Sequence, residues 1–301
     1  MNEFCLLQAF GLSIASEFRI TGIPEASDTS DTDVQIRRAD LASYAIPDNC
    51  YQIKQGDIRF SYNNTGQFRI NNGNLIEVDP DPACTESHLG VYLMGSCMGA
   101  ILHQRGLMPL HGSCVTDGKR AILITGDSGA GKSTLAAEFL SRGWKLLTDD
   151  VCAVYNTEGT PMVRSSYPSQ KLWQDAMDRY DTQERDVHSL YFSESREKFG
   201  VNVTGSFFDG ACPLNMVVRL LPADAPCSIS PIEGMTRVDQ LMRNTYRAFM
   251  IAPKDRPRHF QRCVTLSTKV PMALVIRENG TQCADRLFEL ITDYLEEMNH
   301  D

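Results

Sequence analysis

Residues Gly126-Asp127-Ser128-Gly129-Ala130-Gly131-Lys132-Ser133 place three glycines, a lysine and a hydroxyl at the spacing of a phosphate-binding loop. Glycines 126, 129 and 131 let successive backbone N–H groups turn toward one anion, and the start of a following helix adds its own. Lys132 would reach the β- and γ-phosphates as a point charge, while the Ser133 hydroxyl would ligate Mg²⁺. The expected cradle runs from Gly126 through Thr134. The motif requires a strand before it and a helix after it, and the apolar run Ala121–Thr125 and the segment Thr134–Leu140 read as those elements. The pattern predicts that the chain binds a nucleoside triphosphate through Mg²⁺.

Asp149 and Asp150 close the next apolar segment, Lys145–Thr148, which reads as a strand. Paired carboxylates shortly after a phosphate loop can hold Mg²⁺ and its water, or accept the proton of an attacking hydroxyl. Two acids this close would also oppose each other's ionisation, which raises the basicity of one. His111 lies on the segment before the loop strand, where a hairpin would bring it near the phosphates; a packed core histidine is the alternative. Lys171 and Arg164 flank the Tyr167-Pro168 turn and are candidates for a second cationic clamp on a transferring phosphoryl group.

These residues need elements to position them. A hairpin, Leu110–Thr116 followed by Arg120–Thr125, is expected to feed the loop, and Gly143 to end the helix after it. Further on, 217–221 and 270–276 read as strands, 237–249 and 284–298 as helices. Residues 88–105 read as a helix interrupted at Gly95. Upstream, residues 58–62 and 67–70 alternate apolar and polar between Asn/Gly turns, as half-buried hairpin strands do, and residues 25–33 read as a loose acidic loop. Pro80 and Pro82 mark the best boundary, giving a β-rich module over 1–80 that could bind peptide and a nucleotide-binding catalytic domain over 81–301.

The chain has 301 residues and 42% apolar content, enough to bury a sizeable core. A formal net charge of -9 and the absence of a Lys/Arg run argue against nucleic acid as a partner. Ten cysteines are scattered singly, with no Cys-x-x-Cys and no zinc-ligand spacing, as expected of reduced thiols. No basic n-region opens the sequence and no apolar run reaches membrane-spanning length, so a cytoplasmic protein with no membrane partner is expected; a homo-oligomer is left open.

The segments His111-Gly112-Ser113, Ile122–Ser133 and Ser141–Asp150 together resemble the catalytic domain of the HPr kinase/phosphorylase family in residue type and spacing. That resemblance implies an α/β fold of the phosphoenolpyruvate-carboxykinase-like phosphate-loop kind, and transfer of the ATP γ-phosphoryl group to a serine hydroxyl. It implies catalytic positions at His111, Lys132, Asp149 and Asp150, with Lys171 added from its charge, and metal-binding positions at Ser133 and Asp149. Asp150 is the preferred base and Asp149 the metal-water residue. The chain departs from the family's pattern at Thr134, where the family has Glu, at Trp144, where it has His, and over Tyr167–Asp175, which replaces a Glu-containing, Gly-rich segment. These departures point away from HPr and from the reverse reaction. A narrower resemblance, carried by Phe10–Phe18, the Tyr-Pro…Leu-Trp segment and Asn244-Thr245-Tyr246, is to the HPr-kinase-related proteins of lasso-peptide biosynthesis. It implies a precursor peptide, phosphorylated at its C-terminal serine, as acceptor. The alternatives are a kinase for an HPr-like protein or a small-molecule hydroxyl, and a non-catalytic nucleotide-binding sensor.

Overall fold

The computed structural model describes residues 4–26, 31–174, 177, 187–193 and 196–298. The middle of the expected acidic loop, residues 27–30, and Asp175 lie outside the described residues.

Alternating apolar and polar side chains in the N-terminal part produce strands β1 (Cys5–Ala9), β2 (Leu12–Ser16), β3 (Val34–Arg38), β4 (Tyr51–Lys54), β5 (Asp57–Tyr62), β6 (Gly66–Asn71) and β7 (Leu75–Pro80). They form one seven-stranded sheet in the order β1-β2-β3-β7-β6-β5-β4. The expected hairpin is β5 with β6: Phe60 lies opposite Phe68, both buried, with ring centroids 4.9 Å apart. Pro80 is the last residue of β7, where its missing N–H breaks no interior ladder bond.

Helix α1 (Glu86–Tyr92) is capped by Thr85, whose hydroxyl accepts from the His88 N–H at 3.2 Å. It runs through a π turn at Leu93–Cys97 into α2 (Met98–Gln104), so the interruption expected at Gly95 is a widened turn. The buried faces of this helix and of the N-terminal sheet share one core, in which Phe68, Ile76, Leu93 and Met98 pack with Val151, Tyr167 and Tyr246.

The second sheet is built from β8 (Met108–His111), β9 (Ser113–Thr116), β10 (Ala121–Thr125), β11 (Lys145–Thr148), β12 (Val151–Thr157) and β13 (Thr160–Arg164). A separate three-stranded sheet holds β14 (Ser169–Trp173), β15 (Val187–Ser193) and β16 (Arg196–Asn202) in the order β14-β16-β15. Strand β17 (Ala211–Ala223) completes the second sheet with β18 (Ser228–Ile232) and β19 (Met272–Glu278). Its thirteen residues join two parts: the N-terminal end pairs with β13, and the rest runs parallel to both β10 and β19. Strand β10, apolar up to Thr125 and buried at every position, is what a central strand covered on both faces requires. Helices α3 (Lys132–Ser141) and, at the C-terminus, Ala284–Glu297 cover one face through Leu135, Phe139, Leu287 and Ile291. Two others, α4 (Met235–Arg243) and α5 (Arg256–Lys269), cover the other through Leu241, Cys263 and Leu266.

Two expectations change. The segment Leu110–Thr116 is not one hairpin arm. It splits at Gly112, where a Cβ would stand 2.4 Å from the Ile124 carbonyl oxygen, so Ser113–Thr116 pairs with β10 while His111 pairs with β12. The helix expected over 237–249 ends at Arg243. Beyond it the Tyr246 N–H donates to the Pro109 carbonyl at 2.9 Å and Arg247 turns left-handed at φ +48°, which carries these two residues toward the ends of β8 and β12.

Candidate active site

The loop between β10 and α3 has positive φ at Gly126, Gly129 and Gly131, the left-handed backbone that lets their N–H groups converge. Gly126 also lies against β17, where a Cβ would stand 2.5 Å from the Leu220 carbonyl oxygen. Lys132 folds back over the loop and donates to the carbonyls of Gly126 at 2.9 Å and Asp127 at 3.0 Å. A phosphate entering the cradle would offer that ammonium a charged acceptor in place of two neutral ones.

Asp149 and Asp150 form the turn between β11 and β12. Asp150 takes φ +79°, and its carbonyl accepts from the Gly112 N–H at 3.3 Å and from His111 Nδ1 at 3.1 Å. This turn sends the two carboxylates in different directions. Asp149 is 5% exposed and faces the loop: it accepts from the Ser113 hydroxyl, from Ser133 Oγ at 3.2 Å and from the Lys171 backbone N–H at 2.7 Å. Asp150 instead meets Lys171 and His111, with Lys171 Nζ 2.7 Å from Oδ2 and His111 Nδ1 3.3 Å from Oδ1. Strand β14 thus gives one residue, Lys171, whose amide holds one aspartate and whose ammonium holds the other. Its neighbour Gln170 donates from Nε2 to the Ser133 carbonyl at 2.9 Å, tying β14 to the start of α3.

The ionisation of Asp150 runs opposite to the rise expected for one member of the aspartate pair. Burial alone would push its carboxyl up, but the Lys171 ammonium and the His111 ring outweigh it and hold Asp150 well below the usual carboxylate range. Lys171 answers in kind: burial would lower it, and Asp150 raises it above its ordinary value. Burial raises the phenols of Tyr167 and Tyr246, with the Asp150 charge adding to the shift, so both stay neutral donors beside the pair.

A cleft of about 450 Å³ opens onto Asp150 and His111. One wall is α1 and the π turn, through His88, Tyr92 and Ser96; the other is the turn after α4, through Tyr246 and Arg247. Tyr246 reaches this position because two positions of the facing helix lack side chains. A Cβ at Gly99 would stand 2.8 Å from Tyr246 Cδ1, and one at Gly95 3.0 Å from its Oη.

The structure therefore brings His111, Ser133, Asp149, Asp150 and Lys171 together, with Lys132 on the loop beside them. Arg164 is not part of this group; it lies over the Tyr155 ring at 5.5 Å and against Gly11. Sequence reasoning gave no role to Ser113, Gln170, His88 or Arg247. Ser113 had a local signal, since it lies on the strand beside the loop strand and faces the same way as the loop. The others reach the site only through long-range packing.

Ser133 and Asp149 offer a hydroxyl and a carboxylate, hard oxygen donors of the kind Mg²⁺ takes. Among the described residues no group of three or more His, Cys, Asp or Glu gathers to hold a metal. Mg²⁺ uses one or two carboxylates and fills its remaining positions with water and substrate phosphates.

Residues 106–178 match the HPr Serine kinase C-terminal domain, a span that contains every site residue named in the preceding paragraph. This part of the chain is similar to that domain. Over 51 residues it is 47% identical to the HPr kinase/phosphorylase of Clostridium botulinum, covering 17% of each chain. Over 59 residues it is 41% identical to that of Lacticaseibacillus casei, covering 20% of this chain and 18% of the relative. The matches thus span about a fifth of the length of these relatives. The solved structure of the Hpr(Ser) kinase/phosphatase from Coxiella burnetii aligns with 64% of this chain and 93% of its own, at a TM-score of 0.37 and 11% identity. The fold is mixed α/β: the segment similar to that domain carries the phosphate loop and follows a β-rich N-terminal sheet. Among its described residues no helix is long and apolar enough to cross a membrane.

Proposed function

We propose that this chain is a kinase that transfers the γ-phosphoryl group of ATP to a serine hydroxyl, and that its acceptor is the C-terminal serine of a ribosomally made lasso-type precursor peptide. The observation that supports this reading best is the division of labour at the aspartate turn: Asp149 faces the loop through Ser133, and Asp150 faces the cleft through Lys171 and His111.

In this reading the loop N–H groups and Lys132 would hold the β- and γ-phosphates, and Ser133 and Asp149 would hold Mg²⁺. When bound, Mg²⁺ supplies positive charge against the β- and γ-oxygens. The acceptor hydroxyl enters through the cleft and hydrogen-bonds to Asp150 Oδ1. As the hydroxyl oxygen bonds to the γ-phosphorus, its proton passes to Asp150 and the bond to the β,γ-bridging oxygen breaks, leaving ADP. His111 orients the Asp150 carboxylate. Lys171 keeps that carboxylate ionised until the phosphoryl group arrives; a shift of the ammonium toward the phosphoryl oxygens would then release basicity at Asp150 at the moment of attack. Residues 1–80 serve in this account as the module that backs the helix walling the acceptor cleft, in a cytoplasmic enzyme.

Kinship with HPr kinase/phosphorylases favours an HPr-like protein as the second candidate acceptor. The two are separated by one experiment. Full-length protein with ATP and Mg²⁺ is offered precursor peptides ending in serine, the same peptides ending in alanine, and HPr, and the products are weighed by mass spectrometry. Addition of phosphoryl mass to the serine-ending peptides alone supports the peptide reading; addition to HPr alone replaces it.

A further inference from the structure

At the far end of β8 and β12 from the aspartates lies a second cleft, of about 560 Å³. Met108 and Val154 line it, whereas His111 and Val151, three residues along the same two strands, belong to the aspartate end; the separation is roughly 10 Å. One face of α5 forms its roof, with Arg258, Arg262, Leu266 and Lys269 at helical spacing.

The charge here is lopsided. Arg105, Arg258, Arg262 and Lys269 all line the cleft and no acidic side chain does, in a chain whose net charge is -9. Two of the four are engaged: Arg105 pairs with Asp33 at 2.9 Å and Lys269 donates to the Gly159 carbonyl. Arg258 and Arg262 are one helical turn apart, and among the described residues neither forms an ion pair. Like charges at this spacing repel. Burial first, and then the Arg258 charge, pull the Arg262 guanidinium below its usual range, and the nearby Asp255 carboxylate only partly offsets them. Between these cations the floor is apolar, formed by Met108, Val154 and Leu266, and the volume is in the range of small-molecule sites.

We propose that this cleft is a binding site for an organic phosphate, with the phosphate held by Arg258 and Arg262 and the apolar body against Met108, Val154 and Leu266. Guanidinium pairs suit phosphate because each presents a planar fork of donors. The site is separate from the nucleotide loop and does not depend on the acceptor assigned above.

The test titrates the full chain by calorimetry with phenyl phosphate, inorganic phosphate and phenol. Phenyl phosphate is expected to bind roughly tenfold more tightly than inorganic phosphate, because its ring meets the apolar floor, and phenol not measurably. Binding of phenyl phosphate should persist in Lys132→Ala and weaken roughly tenfold or more in the Arg258→Gln/Arg262→Gln pair. Arg258→Gln alone should leave the thermal midpoint unchanged or raise it, since it removes a like-charge neighbour; lost binding there is then not lost folding. No binding to the unmodified chain would overturn the proposal. So would binding that survives the arginine substitutions and vanishes in Lys132→Ala, which would assign the phosphate to the loop.

Discussion

Lys171 reaches Asp150 with its ammonium, Nζ to Oδ2 at 2.7 Å, while its own amide N–H donates to the neighbouring Asp149 at the same distance. One strand residue therefore fixes two adjacent carboxylates that point to different places. The electrostatic consequence is that Asp150 is ionised well into acid and Lys171 charged well into alkali.

Lys171→Met would leave Asp150 without its main counter-charge. Losing one partner of a buried pair typically costs about 3–5 kcal/mol, and Asp150 would shift upward because burial then dominates. The pair's contribution has a defined window. The depressed Asp150 stabilises the fold above the ordinary aspartate range and loses this as pH falls through its lowered value; the raised Lys171 stabilises it below the ordinary lysine range and loses this as pH rises through its elevated value. Denaturant unfolding across pH should thus give a wild-type contribution that is flat through neutrality, and a Lys171→Met curve that is lower across that window.

Ser133→Ala removes the hydroxyl shared with Asp149 without disturbing the loop glycines. The expected effect is a higher Mg²⁺ concentration for half-maximal transfer, by roughly tenfold or more, as second-contact losses at metal sites commonly give. Ser113→Ala should act more weakly and in the same direction, since it frees Asp149 to rotate. A metal titration of each variant's rate checks both; an unchanged Mg²⁺ requirement in Ser133→Ala would remove the metal role assigned to it.

Gly99→Ala tests how the acceptor cleft is formed. The new methyl would stand 2.8 Å from Tyr246 Cδ1, so the ring and the adjoining Arg247 must move. Overpacking of this kind costs about 1–3 kcal/mol. KM for the acceptor should rise while the affinity for nucleotide, at the other side of the aspartate turn, stays the same.

His103 gives a separate pH signal. Burial pushes it down to about 4 while its Nε2 sits 2.7 Å from the Tyr246 carbonyl oxygen, and His259 and Arg262 nearby also disfavour its charge. The folded chain keeps this ring neutral while the unfolded chain protonates it near 6.5, so stability falls as pH drops from about 6.5 toward 4, by up to about 3 kcal/mol. His259, also lowered by burial, adds to the same window. His103→Gln should flatten the slope there, measured by urea midpoints at several pH values.

The loop, the strand feeding it and the helix leaving it were legible because their signals are local: a glycine spacing, an apolar run, a 3.6-residue period. The Phe60 and Phe68 hairpin was legible for the same reason. The sequence pattern puts His111 on the wrong ladder because Gly112, whose close approach to Ile124 depends on tertiary contact, divides what reads as one strand. The helix reads too long, over 237–249, because nothing in its periodicity reports that the Tyr246 N–H finds Pro109. The sign of the Asp150 shift was out of reach as well: adjacency in sequence suggested repulsion from Asp149, and the turn instead points Asp150 at a lysine twenty-one residues on.

Asp150→Asn keeps the shape of the turn and removes the charge that receives the acceptor's proton. The deciding measurement is single-turnover phosphorylation of a serine-ending peptide by this variant and by the unmodified chain, with nucleotide affinity determined in parallel. The account predicts nearly equal affinity for ATP and a transfer rate lower by about 10²–10⁴. Transfer at the unmodified rate with Asn at position 150 would contradict it.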